Sequence, residues 1–277
     1  MSGARLTELE TVKIERAGRV AEVILHRPEA GNAFNSQLFR DVHDAFDALD
    51  GDEECRAIVL RAEGKAFSYG LDLMAAAVDF APVIQDGLAG VRLELRSLIK
   101  LLQRQTGKPA VIRKPVVAAV HGWCIGAGLD LIATCDIRLC SAEAKFSLRE
   151  ARVAMVADIG SLQRLPRIIG DAATRELALT AKDIDAARAK EIGLVSQVHE
   201  TRELCYAAAR AEAEAIAALS PVAVQGVKAV LNAQDGMTID QGLDYVATWN
   251  SAFVQSEDLQ EAIAAFFAKR TPDYKGR

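Results

Sequence analysis

The chain opens on alternating, β-branched positions. Thr11-Val12-Lys13-Ile14-Glu15 and then Val20 to Leu25 predict two strands of a hairpin turning at Ala17-Gly18, closed by His26-Arg27-Pro28. Leu38, Phe39, Val42, Ala45, Phe46 and Leu49 then recur at helical spacing over residues 36–49, and Ala57-Ile58-Val59-Leu60 reads as a strand. A long helical stretch is expected over about 84–102. Pro115-Val116-Val117-Ala118-Ala119-Val120 follows it and is too apolar for a strand wetted on one face, so it predicts burial on both sides. Strand and helix keep alternating to Leu194-Val195-Ser196-Gln197-Val198, which implies an α/β architecture.

After about Thr201 the pattern becomes helical throughout, over 203–219, 222–231, 239–253 and 259–267. The breaks fall at Ser220-Pro221, Asp235-Gly236 and Ser256, with Glu257 and Asp258 in the last helix's first turn. The sequence thus divides into an α/β core over 1–200 and a helical region over 201–277 that covers something else.

Composition narrows the class. With 277 residues, 51% of them apolar, the chain can bury a real core. A net charge of −5 supplies no global field for nucleic acid or anionic membrane, and no Lys/Arg-rich run with interleaved aromatics favours an RNA-binding role. Five cysteines, Cys55, Cys124, Cys135, Cys140 and Cys205, lie in apolar company without metal-ligand spacing. They predict reduced thiols in a cytoplasmic protein with no metal. The first residues lack an apolar core, Glu8 and Glu10 argue against a transit peptide, the terminal Lys-Gly-Arg is no peroxisomal signal, and no apolar run is long enough to span a membrane.

Two Gly-rich segments follow strands, Lys65-Ala66-Phe67-Ser68-Tyr69-Gly70-Leu71-Asp72-Leu73 and His121-Gly122-Trp123-Cys124-Ile125-Gly126-Ala127-Gly128-Leu129-Asp130. Either is readily a tight turn kept small for packing. Together they permit a pair of backbone N–H donors aimed at one oxyanion, a device worth ~3–4 kcal/mol per donor.

Three acids add proton chemistry: Asp130, Glu150 and Asp158. Asp130 and Asp158 sit among apolar neighbours, where burial raises a carboxyl pKa toward the useful range. Asp158 is also a candidate cap for a helix starting near Gly160, Glu150 a solvated acid beside Arg149 and Arg152, and Asp130 a satisfied core group. The four histidines are scattered, and none sits near a nucleophile elbow.

At this point the chain resembles the enoyl-CoA hydratase/isomerase (crotonase) superfamily. The likeness runs from Arg27-Pro28-Glu29-Ala30-Gly31-Asn32-Ala33-Phe34 through both Gly-rich loops, Gln163-Arg164-Leu165-Pro166 and 189–195, to Phe266-Phe267-Ala268-Lys269-Arg270. It implies a spiral of ββα units with a C-terminal helical region that makes trimers or hexamers. It also implies an acyl-CoA substrate with no separate cofactor, and an oxyanion hole from the N–H groups of Tyr69 and Ala127. Coenzyme A is expected near Arg27, Lys65 and Ala66, with Phe266 and Lys269 reaching it from an adjacent subunit. Gly70, Leu71, Asp72 and Gly126 should flank the substrate.

Hydratases of the family carry glutamates where this chain has Asp130 and Glu150, and a glycine where it has Asp158. The set Asp130, Glu150, Asp158 is instead similar to the Δ3,5-Δ2,4-dienoyl-CoA isomerases, in which the acid matching Asp158 takes a proton from C2, that matching Glu150 returns one at C6, and that matching Asp130 supports the site. The alternatives are hydration of a trans-2-enoyl-CoA and Δ3,Δ2-enoyl isomerisation. Tyr69, bulkier than the residue usual in that loop, narrows or reshapes the acyl pocket.

Overall fold

The computed structural model describes residues 9–81 and 89–277. The expected hairpin forms from β1 (Val12–Ala17) and β2 (Val20–Leu25), antiparallel, with Gly18 in the left-handed region at φ 62° where its missing Cβ costs nothing. Onto β2 are added β3 (Ala57–Ala62), β4 (Val116–Val120), β6 (Ile137–Ser141) and β9 (Gln197–His199), all parallel, in the order β1-β2-β3-β4-β6-β9. A smaller sheet joins β5 (Trp123–Ile125), β7 (Lys145–Ser147) and β8 (Asp183–Asp185).

Alternation along the strands sends side chains to two buried faces. Val23, Leu25, Ile58, Leu60, Val116 and Ala118 pack with Leu38, Phe39, Val42, Phe46 and Leu49 of α1 (Ser36–Asp50). Val20, Ala57, Val59, Val117, Ala119 and Leu139 face the other way, onto Cys205, Ala209, Ala213 and Ala217 of α8 (Arg202–Ala217). Small residues every fourth position on α8 let it lie close against the sheet. The helix therefore belongs to the core, and the boundary expected at 200/201 separates α8 from the sheet it covers. Tyr206 fixes the same join, its hydroxyl 2.7 Å from Ala62 O and 2.8 Å from His121 Nδ1.

The other helices among the described residues are α2 (Leu73–Asp79), α3 (Ala89–Thr106), α4 (Lys108–Val111), α5 (Ala127–Ile132), α6 (Ser161–Thr180) and α7 (Ala186–Glu191), then α9 (Pro221–Ala233), α10 (Ile239–Phe253) and α11 (Glu257–Ala268). The expected start of α3 near 84 lies outside the described residues. α6 is kinked at Gly170. Lys228 anchors α9 to the core, its Nζ donating to Pro109 O, Lys114 O and Asp136 Oδ2 at 2.8–2.9 Å. Otherwise the last three helices leave large apolar side chains in water, including Ile239, Leu243, Phe266 and Phe267. Among the described residues no single helix is long and apolar enough to cross a membrane.

Candidate active site

The two Gly-rich loops are stitched together by the backbone. Ser68 N–H donates to Trp123 O at 2.9 Å and Ile125 N–H to Ser68 O at 3.0 Å. This brings Gly70 against Gly126: a Cβ on Gly70 would stand 3.0 Å from Ile125 O, and one on Gly126 would stand 3.8 Å from Gly70 Cα. Both are at positive φ, 85° and 49°. The residues directly after them, Leu71 and Ala127, present the neighbouring amides.

Geometry changes one expected donor. Tyr69 N–H is engaged by Gly31 O at 3.0 Å, so it is not free for an oxyanion. Leu71 pairs with Phe34 in a parallel bridge in which Gly70 O and Asp72 N–H make the bonds. Its own N–H therefore points away from Phe34, without an acceptor among the described residues. Ala127 opens α5, ahead of the first intrahelical bond from Asp130 N–H to Gly126 O, so its amide is one of the helix's orphan donors. The amides left without an acceptor on these two loops, among the described residues, are those of Leu71 and Ala127. Tyr69 instead lays its ring over Gly31, where a Cβ would come 2.0 Å from Tyr69 Cδ2, and leaves 47% of the residue exposed.

Asn32 is the buried knot beneath the first loop, with Nδ2 donating to Glu63 O at 2.8 Å and Ala66 O at 2.9 Å, and Oδ1 accepting from Arg27 N–H at 2.8 Å. Its place in a turn-rich segment hid this from the pattern. Left-handed backbone at φ 52° gives it away only in three dimensions.

The three acids converge on these loops. Asp130, on α5, is fully buried, and burial pushes its pKa up to about 7, aided by the charge of Glu150 and opposed by hydrogen bonds from Ser161 and the charge of Arg164. Its Oδ1 accepts from both Ser161 N–H, at 2.5 Å, and Ser161 Oγ, while Oδ2 is buried without a partner. Glu150 begins a short 3-10 turn (Glu150–Val153), its Oε1 packed over Gly126 and its Oε2 buried and unpartnered. Burial raises its pKa, and the charge of Asp158 raises it further. Asp158 is exposed as a residue, yet its carboxyl is desolvated enough to lie above the usual range. Gln103 holds its carbonyl at 2.6 Å.

The capping expectation for Asp158 fails in an instructive way. The first residue of α6 is capped not by its sequence neighbour but by Asp130, which lies 31 positions earlier. Ser161, Gln103 and Arg164, whose guanidinium lies over Gly160, are site residues that pattern reading missed. No spacing rule marks a contact made across the fold.

Glu150 also lines a cavity of about 370 Å³ whose other walls include Leu148, Met155, Val156, Leu162 and Leu179. A larger void of about 850 Å³, with Arg138, Arg164 and Arg167 on its walls, contains none of the three acids, so the smaller one is the space that chemistry at Glu150 opens into.

The residues expected at coenzyme A divide. Arg27 is not a free cation: it is paired with Asp72 at 3.2 Å and donates to Ala33 O, while Asp72 also caps α2. Ala66 is buried, with its carbonyl held by Asn32. Lys65, Phe266 and Lys269 are exposed.

The site combines two amides without acceptors, on loops packed against each other, with a cluster of carboxyls whose pKa values lie above the ordinary range. Such an arrangement is able to stabilise an enolate oxygen and to move protons beside it.

Comparison with known proteins agrees. A family model described as enoyl-CoA hydratase/isomerase matches residues 15–277. The chain is 42% identical to an Arabidopsis thaliana protein named Delta(3,5)-Delta(2,4)-dienoyl-CoA isomerase, peroxisomal, over 96% of each chain. It is 38% identical to the Dictyostelium discoideum protein named as the mitochondrial form, over 98% of this chain and 93% of the relative. The crystal structure of enoyl-CoA hydratase from Bacillus anthracis superposes with a TM-score of 0.87 at 27% identity, covering 97% of this chain and all of that one. The relatives' names place them in peroxisomes and mitochondria, in contrast to the cytoplasmic expectation for this chain.

Proposed function

This chain belongs to the enoyl-CoA hydratase/isomerase family, and we propose that within it the protein isomerises 3,5-dienoyl-CoA to 2,4-dienoyl-CoA in fatty-acid degradation. The observation that carries this reading is the third acid: Asp158 stands beside Glu150 closely enough for its charge to raise the Glu150 pKa, and relatives with this activity in their names match nearly the whole chain.

Asp158 as carboxylate takes the C2 proton. The freed electron pair spreads over C2 to C6 and onto the thioester oxygen, where the Leu71 and Ala127 amides receive the charge. Glu150, whose buried carboxyl keeps its proton to higher pH than usual, gives that proton to C6. The double bonds then lie at C2 and C4, and a proton passing from Asp158 back to Glu150, directly or through solvent, resets the pair. Separate carboxyls at the two ends of an extended dienolate suit a shift over four carbons.

Hydration of a trans-2-enoyl-CoA is the second reading, favoured by the unpartnered oxygens of Asp130 and Glu150, which can hold a water. Against it, Ser161 immobilises Asp130 through Oδ1, and the short aspartate arm reaches less far than a glutamate. Lys65 is assigned to the nucleotide end of coenzyme A. Exposed apolar faces on α9 to α11 support a homotrimer or hexamer in which Phe266 and Lys269 serve a neighbour's site.

Purified protein offered a 3,5-dienoyl-CoA should develop conjugated-diene absorbance, with exchange of C2 and C6 hydrogens in deuterated water. Water addition to trans-2-enoyl-CoA without any diene shift would establish the hydratase instead.

A further inference from the structure

Asp130 carries out two tasks with one carboxyl. Its Oδ1 takes two donors from a single residue, the main-chain N–H and the hydroxyl of Ser161. Ser161 is itself fully buried and is the first residue of the 20-residue helix α6. With Oδ1 saturated, the carboxyl cannot rotate without breaking both bonds. Oδ2 is thereby held in one direction, buried and without a donor. Glu150 Oε2 is in the same condition, on a carboxyl packed over Gly126, the residue whose carbonyl receives the Asp130 N–H.

The Glu150 charge pushes the Asp130 pKa up, so ionising both carboxyls is costly, and two unpartnered oxygens are relieved when one of them carries a hydrogen. Ser161 decides which. Donors on Oδ1 leave Oδ2 as the Asp130 oxygen able to bear the proton, and they favour the charged form of Asp130, so the proton is not locked there.

We propose that Ser161 is a positioning residue for the proton shift: its hydroxyl fixes Asp130 and sets how the single proton of the Asp130–Glu150 pair is shared, keeping Glu150 able to act as the acid. The kinetic half of this proposal rests on the isomerase reading above. The titration half does not.

The test compares the full-length protein with Ser161→Ala, which keeps the helix N–H and loses only the hydroxyl, and with Ser161→Thr, which restores it. Carbon-13 labelling of aspartate side chains, with Asp130→Asn to assign the signal, reads the ionisation directly. In Ser161→Ala the Asp130 titration should move up by about one pH unit, since a hydrogen bond to the charged form is lost. On 3,5-dienoyl-CoA kcat should fall on the order of tenfold with KM within about twofold, because geometry and not binding is disturbed. The ionisation in the pH profile of kcat/KM should move with it, and Ser161→Thr should return all three. An Asp130 signal that titrates identically in Ser161→Ala, with only a lower Tm, overturns the proposal and leaves Ser161 a helix cap. Absence of diene turnover in the unaltered protein sinks the isomerase reading alone, and the titration still decides for or against Ser161.

Discussion

Replacing Asp130 with Asn tests the electrostatics of the site without any substrate. Burial holds the Asp130 carboxyl at about 7 against an ordinary 3.8, a rise of about three pH units, or roughly 4 kcal/mol against the ionised form at 1.36 kcal/mol per unit. A raised carboxyl pKa means that the folded state keeps a proton the unfolded chain has released. Its contribution therefore weakens folding as pH climbs from about 4 to about 7, and is constant above that. Asparagine cannot ionise. Its Oδ1 still accepts from Ser161, while its NH2 group replaces the unpartnered Oδ2 and costs about 1–3 kcal/mol at every pH if it finds no acceptor. Denaturant unfolding of both proteins from pH 5 to pH 8 should show the variant gaining about 2–3 kcal/mol on the parent across that window. Titrating groups that do not interact with Asp130 cancel in the difference, and only Glu150, whose charge raises the Asp130 pKa, is coupled to it strongly enough to change with the substitution. Parallel stability curves would refute the claim that burial holds the Asp130 pKa near 7 in the fold.

Asp158→Asn should lower kcat for the diene shift on the order of 10³-fold with KM little changed, as steady-state kinetics on 3,5-dienoyl-CoA would read. Converting the Leu71 amide to an ester through an α-hydroxy acid should cost about 10²–10³ in kcat, whereas the same exchange at Tyr69 should lower Tm and spare kcat, because that amide is bound to Gly31 O. Gly126→Ala should cut kcat severely with the protein still folded by circular dichroism: the position has φ 49°, and the new methyl would press on Glu150 Oε1 at 3.2 Å.

The three candidate carboxyls could be picked out from the chain, with roles that only the family resemblance implies, and the strands carrying the loops announce themselves by continuous apolar runs such as 116–120. The donor assignment was another matter. Tyr69 and Leu71 are two residues apart in one loop, and nothing in their side chains says which N–H the fold consumes. That depends on Gly31 and Phe34, which arrive from a different loop. Arg27 and Asp72 likewise look like a cation and an anion available to a ligand until the fold gives them to each other.

Periodicity, glycine placement and the run of acids pointed by themselves to an α/β chain with two Gly-rich loops that permit an oxyanion hole and three candidate proton carriers, because those features are local and each expresses the steric or solvation needs of a few neighbouring residues. Tertiary structure alone decided that α8 belongs to the sheet, that the Tyr69 amide is consumed while that of Leu71 is left without an acceptor among the described residues, and that Ser161 restrains Asp130. Hydrogen bonds and burial are settled between residues remote in sequence, and a donor is free only when every other segment has taken its place.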